Sequence, residues 1–320
     1  MKEAEPFKLN LYKPEHLSLR INFPLAVIDK ILKNKDKRIE RFVLKKVKEN
    51  GIIKERPIFS PHREYKLLLR RINKHILNKA PLPVGVCGAI VGKSLFDMVN
   101  VHCNKEAVYQ VDLENFFPNI KYPTIFKMFL KLNCSKDIAR LLADLVTFQD
   151  SLPQGFPTSP MIANIVASKL DIEQLKICEK NDVSRTRWID DIVFSGRIIS
   201  LQSIIPKLVT SIKINHFILN KDKELFTRRK DKPEIVGLTI NKHKPYIPLR
   251  IIEKLEDYIQ IANEFGYGKL RSMYPEEFQK KDIALSIISK IKYIEIFDKN
   301  AANELREKLL QKHNIVSSSV

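Results

Sequence analysis

The sequence predicts an α+β fold: an antiparallel sheet backed by helices over most of the chain, then a helical C-terminal part. Three observations carry that expectation. Val108 to Leu113 reads as one buried strand. Arg185 to Ser195 reads as strand–turn–strand, with Trp188, Ile189, Ile192, Val193 and Phe194 around an Asp190-Asp191 tip. From Pro248 onward the apolar spacing is helical, over 249–265, 275–295 and 299–312.

The 320 residues are 44% hydrophobic and 29% charged, enough apolar material for a substantial core and two or three subdomains. A formal net charge of +19 favours a polyanionic partner, through phosphate contacts and counterion release. A membrane surface is the rival partner for a basic chain, but no long basic amphipathic helix carries an aromatic apolar face. No apolar run approaches the roughly 18 residues of a spanning helix, and Met1 to Asn10 is charged, with no signal-peptide core. The expectation is a soluble, cytoplasmic protein with no membrane partner. Cys87, Cys103, Cys134 and Cys178 lie far apart, without a C-x-x-C pair or histidines at metal spacing. They read as reduced, mostly buried thiols, and a zinc site is not expected.

Along the chain, residues 1–20 show no clear periodicity. Pro24 to Leu32 predicts a short amphipathic helix with Leu25, Ile28, Ile31 and Leu32 on one face. Arg41 to Val47 alternates as a strand, Glu49-Asn50-Gly51 is a hairpin turn, and Ile52 to Phe59 returns. Ser60-Pro61 predicts a helix start, Ser as N-cap and Pro at the first helical position. That helix runs to about Asn78 with Leu68, Leu69, Ile72, Ile76 and Leu77 inward. Arg63, Lys66, Arg70, Arg71 and Lys74 make it basic, as a lid over phosphates or as a solvated charged face. Pro81 to Ser94 is loop. Its Gly88-Ala-Ile-Val-Gly92-Lys93-Ser94 run has three residues between the glycines where a nucleotide phosphate loop needs four, which excludes that chemistry. Helical patterns occupy 122–132 and 136–148. The rigid Leu152 to Pro160 loop then opens a long helix with Ile162, Ile165, Val166 and Leu170 inward. After the hairpin come a helix at 200–213, a strand at 216–219, the basic stretch Lys221 to Lys232 and a strand at Ile235 to Ile240. The tail after Ile315 is expected to be disordered.

Two adjacent carboxylates at a hairpin tip repel each other unless a cation intervenes, though Asp is also a common solvated turn residue. Asp112, closing the earlier buried strand, is the second carboxylate that favours the cation. If the strands are sheet neighbours, three acids meet at one edge. Such a cluster accepts two Mg²⁺ ions roughly 3.5–4 Å apart, as in-line phosphoryl displacement requires. No Ser/His/Asp or Cys/His set competes. His16, His62, His75, His102, His216, His243 and His313 are scattered and read as structural or surface residues.

Asp112 with Phe116-Phe117, the Leu152 to Pro160 loop and the Trp188 to Asp191 hairpin together resemble the palm motifs of bacterial reverse transcriptases. The resemblance spans roughly 39 to 313. The short chain, with little beyond the helical end, is most similar to retron reverse transcriptases. It implies a right-hand polymerase: an N-terminal helical extension (1–38), fingers (39–107), a palm (108–240, with finger helices inserted at 122–150) and a helical thumb and tail (241–320).

The resemblance also implies roles. Asp112, Asp190 and Asp191 would ligate two Mg²⁺ ions, helped by the Leu113 carbonyl. Phe117 would be a steric gate against the sugar 2′-hydroxyl. Gln154 and Gly155 would line the incoming nucleotide, Arg56 and Lys66 would meet its triphosphate, and Lys223 would protonate the departing pyrophosphate. Trp188 would lie against the primer end, and Val236-Gly237-Leu238 would form a primer grip. The implied partners are a structured noncoding RNA as template and primer, its DNA product, dNTPs and an effector protein encoded nearby in anti-phage defence. The sequence departs from the family in three places. Trp188-Ile189 stands for the usual Tyr-Ala, and Ile235-Val236-Gly237 for Val-Thr-Gly. Only His102 remains of an Asn-Ala-x-x-His element, with Met98 and Val99 at its first two positions. Two classes stay open: an active RNA-templated DNA polymerase, of retron type or another defence type, and an RNA-binding scaffold in which catalysis is incidental.

Overall fold

The computed structural model describes residues 7–47, 53–278 and 282–316; the expected turn at Glu49-Asn50-Gly51 and the tail past Val316 lie outside them. The chain divides into two compact units, Met1–Arg228 and Arg229–Val320.

The first unit begins with α1 (Pro14–Ile21) and α2 (Leu25–Lys33). Sequence periodicity misses α1, yet Pro14 opens it and Leu17 and Ile21, one turn apart, are fully buried. The strands β1 (Ile39–Val47) and β2 (Ile53–Pro61) pair antiparallel from Ile39↔Pro61 to Val47↔Ile53. This corrects the helix start expected at Ser60-Pro61. Both residues finish β2, because pairing with Glu40 and Ile39 uses the backbone that a cap would have needed. The helix α3 (Arg63–His75) follows His62 without a side-chain cap and buries Tyr65, Leu68, Leu69 and Ile72. A capping box between Ser94 and Asp97 opens α4 (Leu95–Asn100).

The palm-like core starts at β3 (Ala107–Asp112), followed by the one-turn α5 (Phe116–Asn119), α6 (Tyr122–Lys131), α7 (Lys136–Val146) and the 21-residue α8 (Ser159–Glu179). Then come β4 (Ser184–Trp188), β5 (Asp191–Gly196), α9 (Ile198–Ile214) and β6 (Leu225–Arg228). The four strands form one antiparallel sheet in the order β4-β5-β3-β6. Behind it, Leu170 of α8 and Leu201, Ile204 and Leu208 of α9 share a core with Tyr109, Val111, Ile192 and Phe194. The strand expected at 216–219 reduces to a single bridge, Leu113 with Leu219.

In the second unit, β7 (Glu234–Ile235), β8 (Leu238–Ile240) and β9 (Pro245–Tyr246) make a small antiparallel sheet. The single strand expected over Ile235 to Ile240 is therefore a hairpin. Val236 and Gly237 take φ 48° and 84°, the positive pair of a two-residue hairpin turn, and this reverses the chain. Four helices follow: α10 (Leu249–Met273, interrupted at Gly266), α11 (Pro275–Phe278), α12 (Ile283–Glu295) and α13 (Lys299–Val316). They bury Tyr258, Ile259, Phe278, Ile287, Ile291 and Leu305. Among the described residues no helix is long and apolar enough to cross a membrane.

Candidate functional site

The antiparallel register of β3 and β5 sets Asp112 directly opposite Asp191. The β4–β5 connection has two residues, Ile189 and Asp190, because Trp188 pairs with Asp191. The Leu113 amide donates to the Asp190 carbonyl at 3.0 Å, which ties the hairpin tip to the end of β3. The three acids are thus neighbours through backbone pairing alone. Burial raises the Asp190 carboxyl above the ordinary range, and the Asp112 charge adds to it. Asp191 is pushed up to about 7 by burial, then by Asp190 and Asp112. Lys223 and Arg56 oppose both shifts, so each contributes positive potential at the acids.

Asp112 is buried and its carboxylate is engaged. Asn220 Nδ2 donates to Oδ1 at 2.9 Å and Lys223 Nζ to Oδ2 at 2.5 Å. The Asn220 amide also donates to the Asp112 carbonyl, and Tyr109 donates its hydroxyl to Glu224 at 2.6 Å, so the segment carrying Lys223 is fastened to β3 on both sides. Lys223 therefore sits on an acid here, whereas the sequence reading assigns it to pyrophosphate. Among the described residues no three His, Cys, Asp or Glu side chains are gathered as a metal cage. The donor set nevertheless suits a hard divalent cation: oxygen ligands only, with two carboxyls whose charged forms are disfavoured until positive charge arrives.

The remaining predicted residues fall in several places. Phe117 lies on α5, its ring edge-on to Phe116 at 5.7 Å. Gln154 accepts the Phe59 amide at 2.8 Å through its carbonyl, which joins its loop to β2, the strand carrying Arg56. Gly155 has φ +104°, and a Cβ there would lie 2.5 Å from the Phe59 carbonyl oxygen. Trp188 ends β4. Lys66 is on α3, and among the described contacts none links it to the acids. Gly237 belongs to the second unit.

The reverse transcriptase (RNA-dependent DNA polymerase) family matches residues 43–240, well over half of the 320. The chain belongs to the reverse transcriptase family. It is 27% identical over 192 residues to the retron Ec86 reverse transcriptase of Escherichia coli, covering 59% of each chain. Against the retron Se72 reverse transcriptase of Salmonella heidelberg it is 30% identical, over 57% of this chain and 48% of that one. The retron Mx65 reverse transcriptase of Myxococcus xanthus is 25% identical, over 58% of this chain and 48% of its own. The chain spans about half the length of these curated relatives.

Sequence reasoning missed the groups that support the β4–β5 hairpin. Arg185 and Arg187, both on β4 and fully buried at their side chains, share Asp171 of α8. Gln174 accepts from Arg185, and Asn164 from Arg187. Two arginines spaced i, i+2 in a strand share one face, which is a signal, but their partners sit on a separate helix. His102 is buried between the Ser195 hydroxyl at 2.7 Å and the Thr186 hydroxyl at 2.6 Å. Burial lowers its pKa to about 3, with Lys105 adding to the effect. Both nitrogens of its imidazole are therefore occupied by hydroxyls of β4 and β5.

Proposed function

We propose that this chain is an RNA-directed DNA polymerase of retron type that copies a structured noncoding RNA into single-stranded DNA. The observation that carries the reading is Asp112 paired across the sheet with Asp191 and adjacent to Asp190, in a chain of the reverse transcriptase family. Asp112, Asp190 and Asp191, with the Leu113 carbonyl, would hold two Mg²⁺ ions. Bound there, the ions would supply Lewis-acid activation of a primer hydroxyl and neutralisation of the triphosphate.

The chain's own groups do the rest. Arg56, whose charge already acts on the acids, and Lys66 bind triphosphate oxygens. Gln154 and Gly155 line the nucleotide, and Phe117 closes the space beside its sugar. Trp188 packs against the primer end, and Gly237, in the turn of the β7–β8 hairpin, grips the primer strand. Lys223 leaves Asp112 to give its proton to pyrophosphate. The fingers, palm and thumb divide at 39–107, 108–240 and 241–320, after the 1–38 extension. An effector protein encoded nearby and a role in anti-phage defence complete the proposal.

A second reading, an RNA-holding scaffold with incidental catalysis, draws on the Lys223–Asp112 ion pair, which occupies one of the three acids. Primer extension separates the two. On an RNA template with dNTPs and Mg²⁺ the wild type makes DNA, and the Asp190→Asn/Asp191→Asn double variant makes none. DNA synthesis by the double variant, or none by the wild type, rejects the polymerase.

A further inference from the structure

We propose that Arg187 is a positioning residue for Asp190 and Asp191, acting through the backbone of the residue that precedes them; the proposal rests on the polymerase reading above. Ile189 has φ +57°. It is the first of two turn residues, and Asp190 is not among the residues of positive φ. That sign pattern belongs to the hairpin turn in which glycine dominates the first position. A β-branched side chain there is strained, so the turn persists only if its surroundings hold it.

Arg187 supplies the hold. Its Nη1 donates to the Ile189 carbonyl at 2.8 Å and to Asn164 Oδ1 at 2.8 Å. Nε and Nη2 make a two-point pair with Asp171, at 2.7 and 2.6 Å. The guanidinium cannot shift without breaking that fork, so the carbonyl it grips is fixed relative to α8. From the other side, Asn164 Nδ2 donates to the Gly88 carbonyl at 2.8 Å, and a Cβ on Gly88 would stand 2.7 Å from the Ile189 nitrogen. The Gly88–Ser94 run, which is no phosphate loop, therefore has its first glycine where nothing larger fits against the turn. Arg187, Asp171 and Asn164 are all fully buried, so solvent does not compete for the bonds among the three.

A lysine can neutralise Asp171 but is a point charge without the fork, so Arg187→Lys tests the hold and keeps the charge. Displacing reacting groups by about 1 Å costs on the order of 100-fold, so kcat should fall between about 10- and 100-fold. The KM for dNTP should stay within about two-fold, and more Mg²⁺ should be needed for half-maximal rate. Adding Ile189→Gly removes the strain and should recover most of the lost kcat. A purely structural Arg187 would leave the double variant as slow as Arg187→Lys, and that result, or wild-type kcat in Arg187→Lys, overturns the proposal. Should Arg187→Lys not fold, Gly88→Ala presses on the turn from the opposite side and must show the same kcat and Mg²⁺ signature; normal kinetics overturn it equally. A wild type without polymerase activity would sink the earlier reading instead. The Mn²⁺-induced rise in melting temperature then decides: lost in Arg187→Lys and regained with Ile189→Gly, it upholds the clamp, and an unchanged rise removes it.

Discussion

At the tip of the β4–β5 hairpin, burial and the neighbouring carboxylates Asp190 and Asp112 raise the Asp191 carboxyl to about 7. An unfolded Asp ionises near pH 4, so between these values the folded chain keeps a proton that the unfolded chain has released. The stability tied to this group is full below about pH 4 and is lost as pH rises through about 7. Without divalent ions, Asp191→Asn should therefore melt above wild type at pH 8, and the gap should shrink through pH 5 and close near pH 4. Each tenfold difference in acidity corresponds to about 1.4 kcal/mol, so a gap of a few kcal/mol is the upper end. Thermal melts in chelator check it, and a gap independent of pH would contradict the assignment. Phe117 gives a second test at this scale. Its ring is braced edge-on by Phe116, and Phe117→Ala should admit ribonucleotides. The ratio of rNTP to dNTP incorporation measures this, and unchanged sugar selectivity would remove the gate.

Among the elements, the junction of β2 with the loop that precedes α8 is tightly constrained. Gly155→Ala would combine a strained φ of +104° with a Cβ 2.5 Å from the Phe59 carbonyl oxygen. A loss of about 2–4 kcal/mol, read from denaturant melts, is expected; a neutral substitution would mean the loop can move off β2. Legibility follows the same lines. The strand ending at Asp112 and the 185–195 hairpin show in the sequence because their apolar runs are short and bounded by turn residues. Ser60-Pro61 misleads because its local cap chemistry is sound but loses to pairing with β1, which no local window contains. The Val236-Gly237 turn interrupts an apolar run that reads as one strand. Of the site, the acids are visible by type and spacing. The Arg187–Asp171–Asn164 support is not, since it joins β4 to α8 and only the fold brings them together.

For the molecule as a whole, a net charge of +19 makes association with RNA an exchange of counterions. The logarithm of the RNA affinity should fall linearly with the logarithm of salt concentration, by about 10³–10⁵ from 50 to 200 mM if six to ten phosphates are neutralised. Filter binding across that range measures it, and a flat response would place the binding energy in stacking and hydrogen bonds. The ion pair between Lys223 and Asp112 has the opposite consequence at the acids. There the protein already carries a stand-in cation. On the polymerase reading proposed above, the residues holding a divalent ion at Asp112 would have to release this ammonium, and Lys223 would then be free to serve a substrate oxygen.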